Sequence, residues 1–140
     1  MSRVTDAELI ALARQARERA VATFSGFKVG AALEAADGSV ILGCNIENAT
    51  YGLTICAERT AIFMAVSDGL RAFRRIAVVA DTQSPTPPCG PCRQIIWEFC
   101  GDVEVIMANL TGETGRYWMR ELLPLPFDAR HLGEDANAKH

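Results

Sequence analysis

Two apolar segments separated by an Asp-Gly pair constrain the fold of this 140-residue chain more than any other feature. Val29–Ala35 and Val40–Cys44 are rich in aliphatic and small residues, and Asp37-Gly38 lies between them. Asp-Gly favours the tight turns in which the backbone takes positive φ angles, and such turns join antiparallel strands. The sequence therefore predicts a β-hairpin over residues 29–44.

Helices and further strands are predicted on both sides of this hairpin. Thr5-Asp6-Ala7-Glu8 has the spacing of a capping box, which predicts a helix to about residue 22. The other predicted elements are helices over residues 56–67 and 91–100, strands over residues 76–80 and 103–108, a turn over residues 111–115 with a short strand after it through Tyr117 and Trp118, and a helical turn over residues 120–123. This order predicts an α/β fold of three α/β/α layers, in which helices cover both faces of a mixed sheet of about five strands.

The length and charge of the chain limit its possible functions. A chain of 140 residues is expected to form one domain over residues 1–140, with residues 132–140 as a loose polar tail. No apolar stretch approaches the roughly 20 residues of a membrane span, and no apolar secretory segment opens the sequence, so we expect a cytoplasmic protein without a membrane partner. The net charge of -3 argues against a nucleic-acid partner and favours a small-molecule substrate.

Three of the five cysteines lie at the starts of two predicted helices. Cys56-Ala57-Glu58 begins one helix and Cys89-Gly90-Pro91-Cys92 begins the other, so three thiols converge if the two starts lie side by side. Three protein ligands leave one position of a tetrahedral zinc open to water, as in catalytic zinc sites. The sequence therefore predicts one zinc ion per chain, held by Cys56, Cys89 and Cys92, with Glu58 as the group that moves the proton of the water.

Charge balance adds two arginines to the predicted site. Three thiolates around a doubly charged zinc carry a net negative charge, which makes a coordinated water harder to deprotonate. The two helix N-termini supply partial positive charge and free N–H donors. Arg59 and Arg93 each directly follow a site residue, and we expect them to donate further hydrogen bonds around the metal.

A redox function is one alternative interpretation of these cysteines. Cys89-Gly90-Pro91-Cys92 at a helix N-terminus is also the pattern of the thiol-disulfide pair of thioredoxin-like proteins. That interpretation leaves Cys56 and Glu58 without a role.

A closed structural zinc site is a second alternative, and it requires a fourth ligand. Cys44 and Cys100 are the remaining thiols, but each lies within or at the end of an apolar element, where a free cysteine is usually packed in the core. His131 and His140 lie in the polar terminal region and are expected to be solvated.

The residues around these cysteines resemble a known family. Cys56-Ala57-Glu58-Arg59, together with Pro-Cys-Gly-Pro-Cys-Arg-Gln at residues 88–94, is similar to the zinc signature of the cytidine deaminases, in particular the small type with three cysteine ligands. The resemblance also includes residues 24–31, 45–48 and 121–124, and it covers nearly the whole chain. One departure is Phe24, where such proteins usually carry tyrosine.

The resemblance implies roles for four substrate-binding residues. Phe27 would pack on the pyrimidine ring, Asn45 and Glu47 would bind the ribose 3′-hydroxyl, and the amide of Ala57 would meet the base carbonyl. A carboxylate at the 3′-position repels a phosphodiester, so Glu47 agrees with a free nucleoside as substrate.

The resemblance also implies an activity and an assembly. The activity is hydrolytic deamination of cytidine or deoxycytidine to uridine or deoxyuridine with release of ammonia, a reaction of pyrimidine salvage in which Glu58 carries protons to N3 and to the departing amine. An alternative substrate is another aminated pyrimidine, such as blasticidin S. The assembly is a homotetramer that places Tyr51 and Phe127 at the active site of a neighbouring subunit.

Overall fold

A computed structural model describes residues 3–133 of the chain. Its helices and strands are α1 (Asp6–Arg17), β1 (Val29–Ala35), β2 (Val40–Cys44), α2 (Ala57–Ser67), β3 (Phe73–Ala80), α3 (Gly90–Cys100), β4 (Glu104–Ala108), β5 (Thr114–Trp118) and α4 (Met119–Leu122), with 3₁₀ turns at Tyr51–Leu53 and Ala129–Leu132. None of the described helices has the length and apolar character required to cross a bilayer.

The five strands form one mixed sheet in the order β2-β1-β3-β4-β5. β1 pairs with β2 and β3 in antiparallel fashion, which confirms the predicted hairpin, and β4 pairs with β5 in the same way. Only β3 and β4 are parallel, and α3 connects them as the predicted crossover. The carboxyl end of β3 and the start of α3 therefore lie at one edge of the sheet.

Helices cover both faces of this sheet, so the predicted three-layer fold is confirmed. Successive residues of a strand point to opposite faces. Ala32 and Ala77 share a core with Leu9 of α1 on one face. Leu33 and Ile76, their neighbours in sequence, lie in a second core on the other face. The α2 and α3 residues buried in that second core include Ile62 and Ile96.

The first helix is shorter than its sequence pattern predicts. It ends at Arg17 rather than near residue 22. The N–H of Val21 donates to the carbonyl of Asn45 at 3.0 Å, and the carbonyl of Val21 accepts from the N–H of Glu47 at 2.8 Å. These long-range bonds draw the backbone out of the helix, and they place residues 18–28 beside the segment that carries Asn45 and Glu47.

Smaller differences concern other element ends. β3 begins at Phe73 rather than at residue 76, and the 3₁₀ turns at Tyr51–Leu53 and Ala129–Leu132 are not evident from sequence. The turn at Ala129–Leu132 includes Leu132, the first residue of the predicted loose tail. Residues 134–140 of that tail, with His140, lie outside the described residues.

Two glycines allow helices to approach the sheet closely. A Cβ at Gly30 would lie 2.0 Å from the carbonyl oxygen of Ala13 in α1, and a Cβ at Gly43 would lie 2.5 Å from the carbonyl oxygen of Ala57 in α2. A side chain at either position would collide with helix backbone. Gly43 therefore determines how closely the start of α2 packs on β2.

A buried ion pair joins strands at the opposite end of the sheet from Val29. The carboxylate of Glu34 is fully buried, and it accepts from Nε and Nη2 of Arg75 at 2.7 and 3.0 Å. Arg75 also donates to the carbonyl of Val4 at 2.7 Å and pairs with Asp6, so the same guanidinium fixes the start of α1.

Candidate active site

The three predicted zinc ligands lie at the N-termini of α2 and α3. Cys56 is the N-cap residue of α2, Cys89 is the N-cap residue of α3, and Cys92 is buried in the first turn of α3. Pro91 favours a helix start because it lacks the N–H that the first turn leaves unpaired. Neither N-cap thiol accepts a capping hydrogen bond from the backbone of its own helix, so both sulfurs are available to a metal.

The geometry of the three sulfurs fits a zinc ion. All three Sγ atoms lie within 4.8 Å of one another, with 3.8 Å between Cys56 and Cys89 and 3.2 Å between Cys89 and Cys92. Zn–S bonds of about 2.3 Å in a tetrahedron place two sulfurs about 3.8 Å apart. Within residues 3–133 this is the single group of three or more His, Cys, Asp or Glu side chains close enough to share an ion.

Arg59 supplies positive charge to the sulfur cluster, as predicted. Its Nη2 donates to Sγ of Cys56 at 3.3 Å. Hydrogen bonds from Cys92, Arg59 and Cys89 lower the pKa of Cys56 to about 5, so this sulfur is held as a thiolate. The contact with Cys56 in turn raises the pKa of Arg59, which therefore keeps its charge.

Glu58 lies beside the sulfurs in the first turn of α2. Only 4% of the surface of Glu58 is exposed to solvent. Burial raises the pKa of Glu58 to about 7, and the negative charge of Cys56 adds to this effect. A carboxyl group with a pKa near neutrality can both accept and donate a proton at physiological pH, which is the requirement for a general acid-base.

A cavity of about 270 Å³ opens onto this cluster. Its lining includes Cys56, Cys89 and Glu58, together with the predicted substrate-binding residues Phe27, Asn45, Glu47 and Ala57. The structure therefore brings these predicted residues to one place, although they come from four separate segments of the chain. Among residues 3–133, the side chains that line the cavity include two carboxylates and no lysine, arginine or histidine.

Comparison with known proteins agrees with this arrangement. The profile of the cytidine and deoxycytidylate deaminase zinc-binding region matches residues 3–109. The chain belongs to this family. It is 52% identical over 126 residues to the cytidine deaminase of Sporosarcina psychrophila, covering 89% of this chain and 93% of the relative. It is 54% identical over 127 residues to that of Halalkalibacterium halodurans, covering 90% and 96%.

A solved structure shows the same fold. The crystal structure of cytidine deaminase from Burkholderia pseudomallei superposes with a TM-score of 0.87 at 48% identity, covering 89% of this chain and all of that one. Membership of a zinc-binding deaminase family favours the zinc interpretation of Cys89-Gly90-Pro91-Cys92 over the redox one. The three-cysteine cluster is compatible with one zinc ion.

Asn45 and Glu47 make hydrogen bonds to the backbone around Phe27. The Asn45 side chain accepts from the N–H of Val29 at 2.9 Å and donates to the carbonyl of Phe27 at 2.8 Å. The Glu47 carboxylate accepts from the N–H groups of Phe24 and Ser25 at 2.9 and 3.0 Å. Both residues thus hold the backbone on either side of Phe27, a role that the sequence did not predict.

Arg93 acts differently from the prediction. Its Nε donates to the carbonyl of Pro88 and its Nη1 to the carbonyl of Leu122, each at 2.8 Å, and none of these bonds reaches a sulfur. The guanidinium points back along the loop before α3 because the residue before Cys89 and the last residue of α4 supply carbonyl acceptors there. Arg93 therefore joins the loop that carries Cys89 to the C-terminal segment.

Tyr51 and Phe127 lie outside the cavity that contains Glu58. Tyr51 is 72% exposed and packs edge to face against Phe24, with ring centroids 5.5 Å apart. Phe127 is 60% exposed and stacks on His131 at 5.2 Å, and its carbonyl accepts from Gln94 at 2.7 Å.

Cys44 and Cys100 are partly buried and do not belong to the sulfur cluster. Burial raises the pKa of both thiols, that of Cys100 to about 12. Sequence reasoning missed several residues that line the cavity, namely Ser25, Thr54, Ile55, Val78, Thr86 and Pro87. They lie mostly in loops, where no periodic pattern marks which side chains face inward.

Proposed function

We propose that this chain catalyses the zinc-dependent hydrolytic deamination of free cytidine or deoxycytidine to uridine or deoxyuridine, with release of ammonia. The observation that carries the proposal is the buried Glu58 beside a three-cysteine cluster. Both line a cavity whose size suits a small ligand. Family membership and identities above 50% to named cytidine deaminases support the same activity.

Cys56, Cys89 and Cys92 would hold the zinc ion, which would supply an activated water as the nucleophile near neutral pH. Glu58 lies next to these ligands, and it would take a proton from that water and donate it to N3 of the pyrimidine, which makes C4 more susceptible to attack. After attack, Glu58 would take the second proton from the hydroxyl now on C4 and pass it to the departing amine, so that it receives two protons and delivers two. Arg59 offsets part of the negative charge of the thiolates through its bond to Cys56.

The cavity favours a neutral nucleoside over a nucleotide or polynucleotide. Phe27 presents a ring to a flat base, and the amide of Ala57 lies near Glu58 to meet the base carbonyl. Asn45 and Glu47 approach from the sugar side. A phosphate at the 3′-position would meet the Glu47 carboxylate, and none of the described residues that line the cavity offers a cationic side chain to offset the repulsion.

The proposal also covers the oligomeric state of the enzyme and its location in the cell. We place Tyr51 and Phe127 at the active site of a neighbouring copy in a homotetramer, because both aromatic side chains are largely exposed and neither lines the cavity of its own chain. We propose that residues 1–140 form a single domain that works in the cytoplasm in pyrimidine salvage.

The decisive experiment follows the ultraviolet change that accompanies conversion of cytidine to uridine, together with zinc content. Glu58→Gln is expected to retain one zinc per chain and to lose about 10²- to 10⁴-fold in turnover, the usual contribution of a general acid-base. Glu18→Gln is the matched control, because Glu18 is an exposed glutamate beyond the end of α1.

Two results would contradict the proposal. A zinc-loaded protein that converts blasticidin S but neither cytidine nor deoxycytidine would assign the alternative substrate. A Glu58→Gln variant with undiminished turnover would show that another group carries the proton.

A further inference from the structure

Three hydrogen-bond donors contact the Glu47 carboxylate. Its Oε1 accepts from the N–H groups of Phe24 and Ser25, and its Oε2 accepts a short hydrogen bond from the Ser25 hydroxyl. A carboxylate offers about four acceptor positions, so one position remains for a further donor. The bonds lower the pKa of Glu47, with the Ser25 hydroxyl as the largest cause, and the group is therefore ionised near neutral pH.

The same Ser25 hydroxyl also holds the backbone of Phe27. Its Oγ accepts from the N–H of Phe27 at 3.0 Å. A continuous chain of hydrogen bonds thus runs from the Phe27 amide through the Ser25 hydroxyl to the Glu47 carboxylate. Residues 22–28 lie outside any helix or strand, so this loop depends on such side-chain bonds for its position.

We propose that Ser25 is a positioning residue that couples recognition of the sugar by Glu47 to packing of Phe27 on the base. The inference rests on the function proposed above, in which Glu47 binds the 3′-hydroxyl and Phe27 contacts the pyrimidine. Because one hydroxyl both donates to Glu47 and accepts from Phe27, it fixes the carboxylate and the loop in a single arrangement. A substrate hydroxyl that fills the last acceptor position then meets a group that is already oriented.

The coupling predicts a change in KM that depends on the substrate. Ser25→Ala removes both bonds and is expected to raise KM for cytidine about tenfold, with kcat changed by less than about threefold. For 3′-deoxycytidine, which lacks the donor to Glu47, KM is expected to rise only about twofold. Ser25→Thr retains the hydroxyl at an exposed position and is expected to behave like the wild type.

A double-mutant cycle and a matched control isolate the Glu47 contribution. In a Glu47→Gln background, Ser25→Ala is expected to raise KM for cytidine by a smaller factor than in the wild type, because the two residues act as a unit. Ser39→Ala is the control. The Ser39 hydroxyl donates to the Asp37 carboxylate at 2.5 Å in the β1–β2 turn. The Ser39→Ala variant therefore loses the same kind of exposed hydrogen bond, but away from the cavity. Its KM values are expected to equal those of the wild type.

Hydrogen exchange provides a measurement that needs no turnover. The Phe27 amide is expected to exchange faster in Ser25→Ala than in the wild type or in Ser39→Ala, because its acceptor has been removed. Unchanged exchange, or a KM that rises by one common factor for both substrates and in the Glu47→Gln background, would overturn the coupling. A zinc-loaded wild-type protein that converts no cytosine nucleoside would instead overturn the proposed function itself.

Discussion

Replacing Gly43 by alanine tests whether the packing of α2 on β2 sets the geometry of the active site. The new Cβ would lie 2.5 Å from both the carbonyl oxygen of Ala57 and the backbone nitrogen of Ala61. Ordinary van der Waals contact begins at 3.4 Å, so the helix must retreat by about 1 Å. Backbone atoms of a helix cannot rotate away as a flexible side chain would, and the displacement must therefore involve α2 as a whole.

The Gly43→Ala variant is expected to be less stable and less active than the wild type. Overpacking of this kind lowers the free energy of unfolding by about 1–3 kcal/mol, which for a domain of this size corresponds to a fall in Tm of roughly 3–10 °C. The start of α2 carries Cys56 and Glu58. A shift of about 1 Å in catalytic geometry can reduce kcat/KM by about 10²-fold, so the variant is expected to lose more activity than its remaining folded fraction explains.

The assay combines thermal unfolding with initial rates of cytidine conversion at a temperature where the variant is folded. Gly115→Ala is the matched control, since Gly115 is also a strand glycine but its Cβ would meet only side chains at 3.5 Å. The control is expected to keep both its Tm and its kcat/KM. If Gly43→Ala retains wild-type kcat/KM while folded, the position of α2 does not set the geometry of the site, and the reasoning is refuted.

Four further predictions concern the metal and the core. Removal of zinc by a chelator is expected to abolish turnover and lower Tm, and Zn²⁺ but not Mg²⁺ should restore both. Arg59→Gln should lose zinc to a competing chelator about 10- to 100-fold more readily, because Cys56 loses its donor. Arg75→Ala should lower the free energy of unfolding in urea by roughly 3–5 kcal/mol, with KM unchanged, because the buried Glu34 loses its two hydrogen bonds from Arg75 and retains the more distant Arg74, whose Nε lies 3.9 Å from the carboxylate. With its pKa raised to about 12, Cys100 should react with iodoacetamide at pH 8 far more slowly in the folded protein than in urea, as measured by mass spectrometry.

Local features of the sequence predicted most of the secondary structure. The Asp-Gly pair and the apolar segments around it gave both strands of the hairpin with the bounds that the structure shows. Pro91 and the capping box at Thr5 marked two helix starts correctly. The end of α1 was predicted about five residues too late, because hydrogen bonds from Val21 to a segment more than twenty residues away override local helix propensity.

The residues of the candidate site were predictable from local sequence, whereas their convergence depends on contacts between distant segments. Cys56, Glu58, Cys89 and Cys92 were predictable because their chemistry is specific and each lies a fixed few residues from a recognisable helix start. The sequence by itself therefore determined the candidate metal ligands and the candidate acid-base group. Their convergence needs β3 and β4 to be parallel with α3 between them, so that two helix N-termini meet at one edge of the sheet.

Only the tertiary structure decided the partners of the surrounding polar residues. Arg93 follows Cys92 directly, yet its guanidinium bonds to carbonyls of Pro88 and Leu122. Ser25 lies in the stretch of residues 24–31 that carries part of the family resemblance, yet nothing in that stretch indicates that its hydroxyl lies between Glu47 and Phe27. The physical reason is that a long or exposed side chain takes whichever donor or acceptor the packed chain places nearest. That choice depends on contacts between residues far apart in sequence, which spacing along the chain does not encode.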